Sequence, residues 1–401
     1  MVAPAQNAAP FLGETLSFSL NNAYSLRSET TNFGENMAET DKHLARLEQL
    51  IRDTFADLGD FESVWEPSVD DAHPTVLVVS KSPRQTYRFD VKVRARITPQ
   101  IADDLFERLQ KEPLPDRVVR IVYAPMISQR VADIARQHGI SFVDYAGNCH
   151  IVDRSAGLLI SRSGIPNEAS SQKQNMADPF SPKSSRIVRA MLHEPERGWQ
   201  VSELAEHPDV DVSAGLVSKV KQALIRESYA VVCNRLLYLK HPLDLLAAWT
   251  RDYPGSPSQR QFYMRGDTEE VEGRLADWCE KSNIEYALAR FSAAWRHASE
   301  VRYSVASMYV GSKALSARWL ESLRVDCGAK EVESGANLVL LTPYKSVFVR
   351  RPSAPEQTTS PLQTYLDLQS MAGRGSEAAE AVFDKYLRKA LESASAEKSG
   401  A

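Results

Sequence analysis

The sequence predicts an α/β protein of several domains, and three observations carry that expectation. Its 401 residues exceed what one core usually organises, because a domain runs to roughly 100–200 residues. The stretch from Gly164 to Pro182 (GIPNEASSQKQNMADPFSP) holds three prolines and almost no large apolar residue, so it has no face to bury and divides the chain. On either side of it β-rich runs alternate with helix-like runs, the pattern of helices layered on sheets.

Composition narrows the classes further. With 48 Lys and Arg against 52 Asp and Glu the net charge is -4, so the whole molecule is no polybasic nucleic-acid or membrane-surface binder and any basic face is local. Cys149, Cys233, Cys279 and Cys327 lie 46 residues or more apart, which leaves no CxxC or Cys/His metal spacing and points to a reduced, cytoplasmic compartment. Charge breaks every apolar stretch well short of the ~18–20 residues a membrane helix needs, so no membrane partner is expected. Residues 1–37 are rich in Ala, Asn, Ser and Thr and read as a disordered tail.

A first domain is expected over residues 38–163, closed by a linker at 164–181. From Asp41 to Leu58 the apolar residues Leu44, Leu47, Leu50, Ile51, Phe55 and Leu58 share one helical face. Strands follow at Thr75 to Val79 and Tyr87 to Val93, then a Pro-started helix from Pro99 to about Lys111. Val118 to Tyr123 reads as a buried strand, Ser128 to His138 as a helix closed by Gly139, and Ile140 to Asp144 as a further strand.

The next segment, 182–252, has the element order of a winged helix-turn-helix. Ser185 to His193 is a first helix, Ser202 the N-cap of a short second one, Asp209 to Val212 the turn, and Ser213 the N-cap of a third helix running to about Glu227. That third helix gathers Leu216, Val217, Val220, Ala223 and Leu224 in one arc and Gly215, Ser218, Lys219, Gln222 and Arg226 in the opposite one. Tyr229 to Val232 and Leu236 to Lys240 form a hairpin around Cys233, Asn234 and Arg235, with Arg235 at the tip. After the break at Tyr253 to Pro257 (YPGSP), residues 258–395 read as a second α/β domain. Trp278, Trp295 and Trp319 fall there on helices, Val305 to Val310 and Leu338 to Leu341 on strands, and Arg351 to Pro361 in a long loop.

Several of these runs resemble known families. The alternation in the first domain resembles the restriction-endonuclease-like fold of the PD-(D/E)xK superfamily, in which strand carboxylates hold Mg²⁺ and a Lys positions water. Asp90-Val91-Lys92 fits the second half of that motif, but Thr75 stands where the first acid belongs, and Asp70 and Asp71 fall in a loop. Glu48 is the candidate accessory acid. The run FVDYAGN (Phe142 to Asn148), the YAP before it (Tyr123 to Pro125) and the later winged helix are similar to regulators of the AbiEi family, antitoxins of type IV toxin–antitoxin systems. Ala287 to Ala294, Ala336 to Val339, Ser360 to Leu368 and Gly373-Arg374-Gly375 resemble the nucleotidyltransferase-like region of those regulators, with Arg290-Phe291-Ser292 in place of a Gly-Ser phosphate turn and no carboxylate from Ser304 to Tyr309. Both enzyme-like domains are therefore expected to be inactive.

The function expected on this basis is that of a DNA-binding transcriptional regulator, antitoxin-like or autorepressing within a defence locus. Ser213, Gly215, Ser218, Lys219, Lys221, Gln222, Arg226 and Arg235 are the candidate DNA-binding residues, because a recognition helix needs small residues for close approach, polar ones for base edges and cations for phosphate. The expected partners are double-stranded DNA and a cognate toxin or other protein, with a homodimer left open. Two alternatives stand beside it: a Mg²⁺-dependent nuclease using Asp90, Lys92 and Glu48, and a scaffold whose winged helix binds protein. No cofactor is expected outside the nuclease alternative.

Overall fold

The computed structural model describes residues 46, 49, 50, 53, 61–66, 75–81, 84–94, 96–162, 177–255, 258–342, 347–348 and 357–396. The expected tail, Glu48, Asp70, Asp71 and most of the first expected helix lie outside these residues, though Arg46, Gln49, Leu50 and Asp53 are helical. Two compact units result, Met1–Ser170 and Ser171–Ala401. Among the described residues no helix is long and apolar enough to cross a membrane.

The first unit is a seven-stranded sheet whose spatial order follows the chain. Strands β1 (Phe61–Glu66), β2 (Thr75–Lys81) and β3 (Arg84–Val93) are antiparallel neighbours. Helix α1 (Pro99–Lys111) crosses over to β4 (Val118–Ala124), parallel to β3, and α2 (Gln129–Gln137) crosses over to β5 (Ser141–Asp144), parallel to β4. A hairpin of β6 (Cys149–Asp153) and β7 (Leu158–Arg162) completes the sheet. Strand alternation sends Val122, Ala124 and Phe142 toward Leu105, Phe106, Leu109, Val131 and Ile134 of the two helices, and Ile121, Tyr123 and Val143 toward the opposite core. Ser128 caps α2 by accepting from Val131 N (3.3 Å), and Gly139 follows that helix with φ +65°. The strands β1, β6 and β7 were not legible, because Phe61 to Glu66 is half polar and the hairpin strands are only five residues long.

The second unit opens with α3 (Ser185–His193), α4 (Val201–Glu206) and α5 (Ala214–Arg226), then the hairpin of β8 (Ala230–Cys233) and β9 (Leu236–Leu239), then α6 (Pro242–Arg251). Trp199 and Leu237 exchange two backbone hydrogen bonds of 2.9 Å, giving the hairpin a third short partner. That pairing moves the start of α4: the chain leaves the bridge at Gln200, so Gln200 and not Ser202 precedes the helix, with its N–H accepted by Glu203 Oε2 at 3.4 Å. Gly198 leaves room for the Tyr238 ring, which a Cβ there would approach to 2.3 Å.

A five-stranded mixed sheet follows, in the order β11 (Tyr286–Leu288), β12 (Ala306–Val310), β14 (Leu338–Leu341), β10 (Gln259–Tyr263), β13 (Lys330–Glu331). Helices α7 (Thr268–Lys281) and α9 (Ala317–Cys327) cover one face through Leu275, Trp278 and Leu323. Helices α8 (Arg290–His297), α10 (Pro361–Gln369) and α11 (Gly375–Val382) pack together, and a π-helical turn (Phe383–Leu387) leads into α12 (Arg388–Ala396).

Leu362 and Leu366 of α10, Leu387 of the π-turn and Leu391 of α12 belong to the same apolar cluster as Ile187, Val217, Leu237 and Trp249. The expected segments 182–252 and 258–395 thus share a core rather than meeting at a passive linker. At the other end, Ala177 and Phe180 also join this cluster, and Phe180 stacks on Trp249 with centroids 6.4 Å apart. The last residues of the expected linker 164–181 are therefore packed; residues 164–176 lie outside the described ones.

Candidate nucleic-acid interface

Helix α5 has two chemically distinct sides. Val217, Val220, Ala223 and Leu224 are buried in the core, whereas Gly215, Lys219, Gln222 and Arg226 are exposed and Ser218 is half-buried beside them. Lys221 stands on the flank of this face, half-buried. Three cations and no carboxylate lie between Ala214 and Arg226. The exposed Ser213 caps the helix, its Oγ accepting from Leu216 N at 3.3 Å.

Gly215 has no packing explanation inside the chain. A Cβ there would meet only Ser213 Oγ, at 3.9 Å. The helix nevertheless carries a residue that costs about 1 kcal/mol relative to Ala in a helix interior, which leaves its first turn open to close approach by another surface.

The hairpin tip shows a similar feature. Asn234 (φ +50°) and Arg235 (φ +67°) form a two-residue turn with both residues left-handed, the geometry that matches strand twist. Arg has no intrinsic preference for that region, so the turn accepts strain while holding an exposed cation at its tip.

The other cations of the segment are largely committed to the fold. Arg197 stacks on Trp199, 3.9 Å from the ring centroid, and pairs with Glu194 (2.7 Å) and Glu203. Arg189 is buried over Trp249, and Arg186 donates to Val210 O at 3.4 Å. Arg226 Nε lies 3.4 Å from Glu227 Oε1, which tempers its charge. Among the described residues Lys219, Lys221 and Arg235 have no ion-pair partner. Glu194 and Glu203 thus serve a structural arginine and leave the cations of α5 and the hairpin tip to the surface.

In the first unit, Asp90 and Lys92 do lie on one face of β3, with Thr75 directly opposite Asp90 on β2. Their neighbour on β4 is Arg120, in register with Asp90. Arg120 Nε donates to Asp90 Oδ2 at 2.8 Å, and its Nη1 donates to both Leu109 O and Glu112 O at the end of α1. Lys92 Nζ is 3.8 Å from Asp90 and 3.3 Å from Glu112. A fixed guanidinium therefore neutralises the carboxylate that the nuclease alternative assigns to a cation. Among the described residues no group of three or more His, Cys, Asp or Glu side chains is placed to hold a metal ion.

The FVDYAGN run has a structural account as well. The buried Asp144 carboxylate accepts from Ala146 N and Asn148 N at 2.9 Å, from Asn148 Nδ2 at 2.8 Å and from Ile127 N at 3.3 Å. Its distinctive spacing is that of an Asx-type turn which also fastens the loop after the YAP.

With this geometry in hand, comparison with known proteins adds one match of substance. Residues 238–388 match a family described as transcriptional regulator, AbiEi antitoxin, Type IV TA system. The match begins in β9, includes α6 and the five-stranded sheet, and ends in the first residue of α12. A solved structure titled "Structure of EndoMS in apo form" is 19% identical over 25% of this chain and 44% of its own, with a TM-score of 0.16, a likeness too slight to carry any argument. No curated protein matches.

Within the matched region, the positions expected from the sequence to resemble a nucleotidyltransferase site are engaged by the chain itself. Ser292 is buried and its Oγ accepts from Ser307 N on β12 at 2.9 Å. Leu288 is bracketed by backbone hydrogen bonds to Gln357 O and from Thr359 N. Gly373-Arg374-Gly375 is a helix-start turn: Gly373 has φ +74°, and a Cβ on Gly375 would lie 2.5 Å from Leu368 O. What sequence reasoning missed is the polar set of half-buried Tyr253 with buried Tyr309, Gln363 and Asp367, which draws on three segments far apart in the chain. The available signal was polar residues at the buried positions of α10.

Proposed function

We propose that this protein is a double-stranded-DNA-binding transcriptional regulator, antitoxin-like or autorepressing, in which residues 182–242 act as a winged helix-turn-helix and α5 as its recognition helix. The observation that carries the reading is the polar face Gly215, Ser218, Lys219, Gln222, Arg226 on a helix that itself holds no carboxylate, with a hairpin after it that carries Arg235 at its tip. Gly215 admits the groove wall, Ser218 and Gln222 meet base edges, and Lys219, Lys221, Arg226 and Arg235 meet phosphate. The matched family of type IV toxin–antitoxin regulators supports a regulatory role and makes a cognate toxin a candidate second partner. In this reading 38–163 is a restriction-endonuclease-like domain and 258–395 a nucleotidyltransferase-like domain, both turned to structural use in the cytoplasm without a cofactor.

The test is salt-dependent duplex binding. Lys219→Ala and Arg235→Ala are each expected to weaken binding to all sequences alike and to flatten the slope of log K against log salt by about 0.9. Slopes unchanged in both variants would contradict the assignment.

A further inference from the structure

Helix α10 is a wedge between two halves of the second unit. Leu362 and Leu366 enter the core shared with α3, α5 and the hairpin, while Leu368 enters the core with α8 and α11. Between them, Asp367 is 2% exposed. Its carboxylate accepts from Tyr253 Oη (2.8 Å), Gln363 Nε2 (2.7 Å) and Tyr309 Oη (3.2 Å to each oxygen). Tyr253 stands just beyond α6, Tyr309 lies on β12 of the sheet, and Gln363 is one turn earlier on α10. One carboxylate thus ties the helix–hairpin segment to the sheet.

The cluster also closes on itself, because Gln363 Nε2 donates to Tyr253 Oη at 2.8 Å as well as to Asp367. While Asp367 is ionised it only accepts, and its bonds from three neutral donors are charge-assisted. When it takes up a proton the bonds it still accepts become ordinary neutral ones, about half as strong. The tie from Asp367 to the end of α6 through Tyr253 and the tie to the sheet through Tyr309 both loosen, while Gln363 keeps its bond to Tyr253.

We propose that the Asp367–Tyr253–Gln363 cluster is a proton-operated joint through which the C-terminal sheet adjusts the segment that carries α5. As regulation of the DNA-binding face, this rests on the function proposed above. Burial raises the Asp367 carboxyl to about 6, against the opposing pull of the Tyr253 hydrogen bond, the Arg290 charge and the bonds from Gln363 and Tyr309. The titratable and charged groups acting on it most are Tyr253 beyond α6, Arg290 at the start of α8 and Tyr309 on β12. It therefore changes charge inside the range where cells vary their pH.

The test uses the full chain, with Asp367→Asn to remove the proton and Tyr253→Phe to remove the arm that reads it. Hydrogen exchange over residues 242–253, corrected for intrinsic rates, is expected to change on acidification in the wild type and to stay flat in Asp367→Asn. Affinity for a duplex enriched by the wild type is expected to change at least about threefold between about pH 5 and 8, what half a unit of pKa difference between free and bound states produces, and to be flat in both variants. Flat exchange in the wild type overturns the joint. A pH-independent affinity with titrating exchange overturns its regulatory role. If no duplex is bound at any pH while the exchange titrates, the DNA reading falls and the joint stands.

Discussion

Replacing Arg120 by Met probes whether the Asp90 cluster is part of the scaffold. Arg120 is 6% exposed and Asp90 9%, and the 2.8 Å bond between them ties β3 to β4 while the same guanidinium closes the C-terminal carbonyls of α1. Removing one partner of such a pair leaves a buried carboxylate uncompensated, at a cost of about 3–5 kcal/mol. Lys92, 3.8 Å from Asp90, remains to share the charge, which places the expected loss near the lower end, ~3 kcal/mol. Adding Asp90→Asn should recover part of that loss, with a coupling energy of about 1–3 kcal/mol. Urea denaturation of the wild type, both single variants and the double variant measures the cycle, provided the slope with denaturant is constant. A loss below about 1 kcal/mol, the level of an exposed ion pair, would refute the structural role. Metal-dependent nicking of plasmid DNA appearing in Arg120→Met would instead revive the nuclease alternative.

Three further outcomes follow from the same structure. Asp367 has a folded-state pKa raised from 3.8 to about 6, so the stability it contributes is present below the unfolded value and about 3 kcal/mol is lost as pH rises through the folded one. Asp367→Asn should lack that loss, and melting curves of the two proteins that stay parallel across this pH range would contradict it. Gly375→Ala forces a Cβ to within 2.5 Å of the Leu368 carbonyl and should destabilise by about 1–3 kcal/mol in thermal unfolding; a neutral effect would show that the α10–α11 corner yields. Gly215→Ala, with only Ser213 Oγ at 3.9 Å, should stabilise by up to about 1 kcal/mol and yet weaken duplex binding. Unchanged binding would remove the close-approach role of this glycine.

Much of the architecture was legible because its signals are local. Pro99, Ser128 with Gly139, and Ser213 mark helix boundaries by cap chemistry that needs no tertiary context. The two sides of α5 followed from its period, and the hairpin from Asn234 beside short apolar runs. What was illegible depends on partners distant in sequence. Nothing near Asp90 announces Arg120, 30 residues on, and nothing in Tyr253 announces Asp367, 114 residues on. The core shared between α3–α6 and α10–α12 was hidden for the same reason: the YPGSP break is a local signal of a turn, while Leu362, Leu366, Leu387 and Leu391 show their destination only in the folded chain. The start of α4 was misplaced by two residues because the Trp199–Leu237 bridge, a tertiary pairing, sets where the helix can begin.

The central claim is that α5 reads duplex DNA, and selection from a random duplex pool at low salt tests it most directly. The wild-type chain should enrich a defined site, an inverted repeat if two copies bind together. Ser218→Ala with Gln222→Ala should retain general affinity but lose about 1–3 kcal/mol of discrimination for each base contact removed. A pool that shows no enrichment with the wild type, or an identical enriched site with the double variant, would contradict the account.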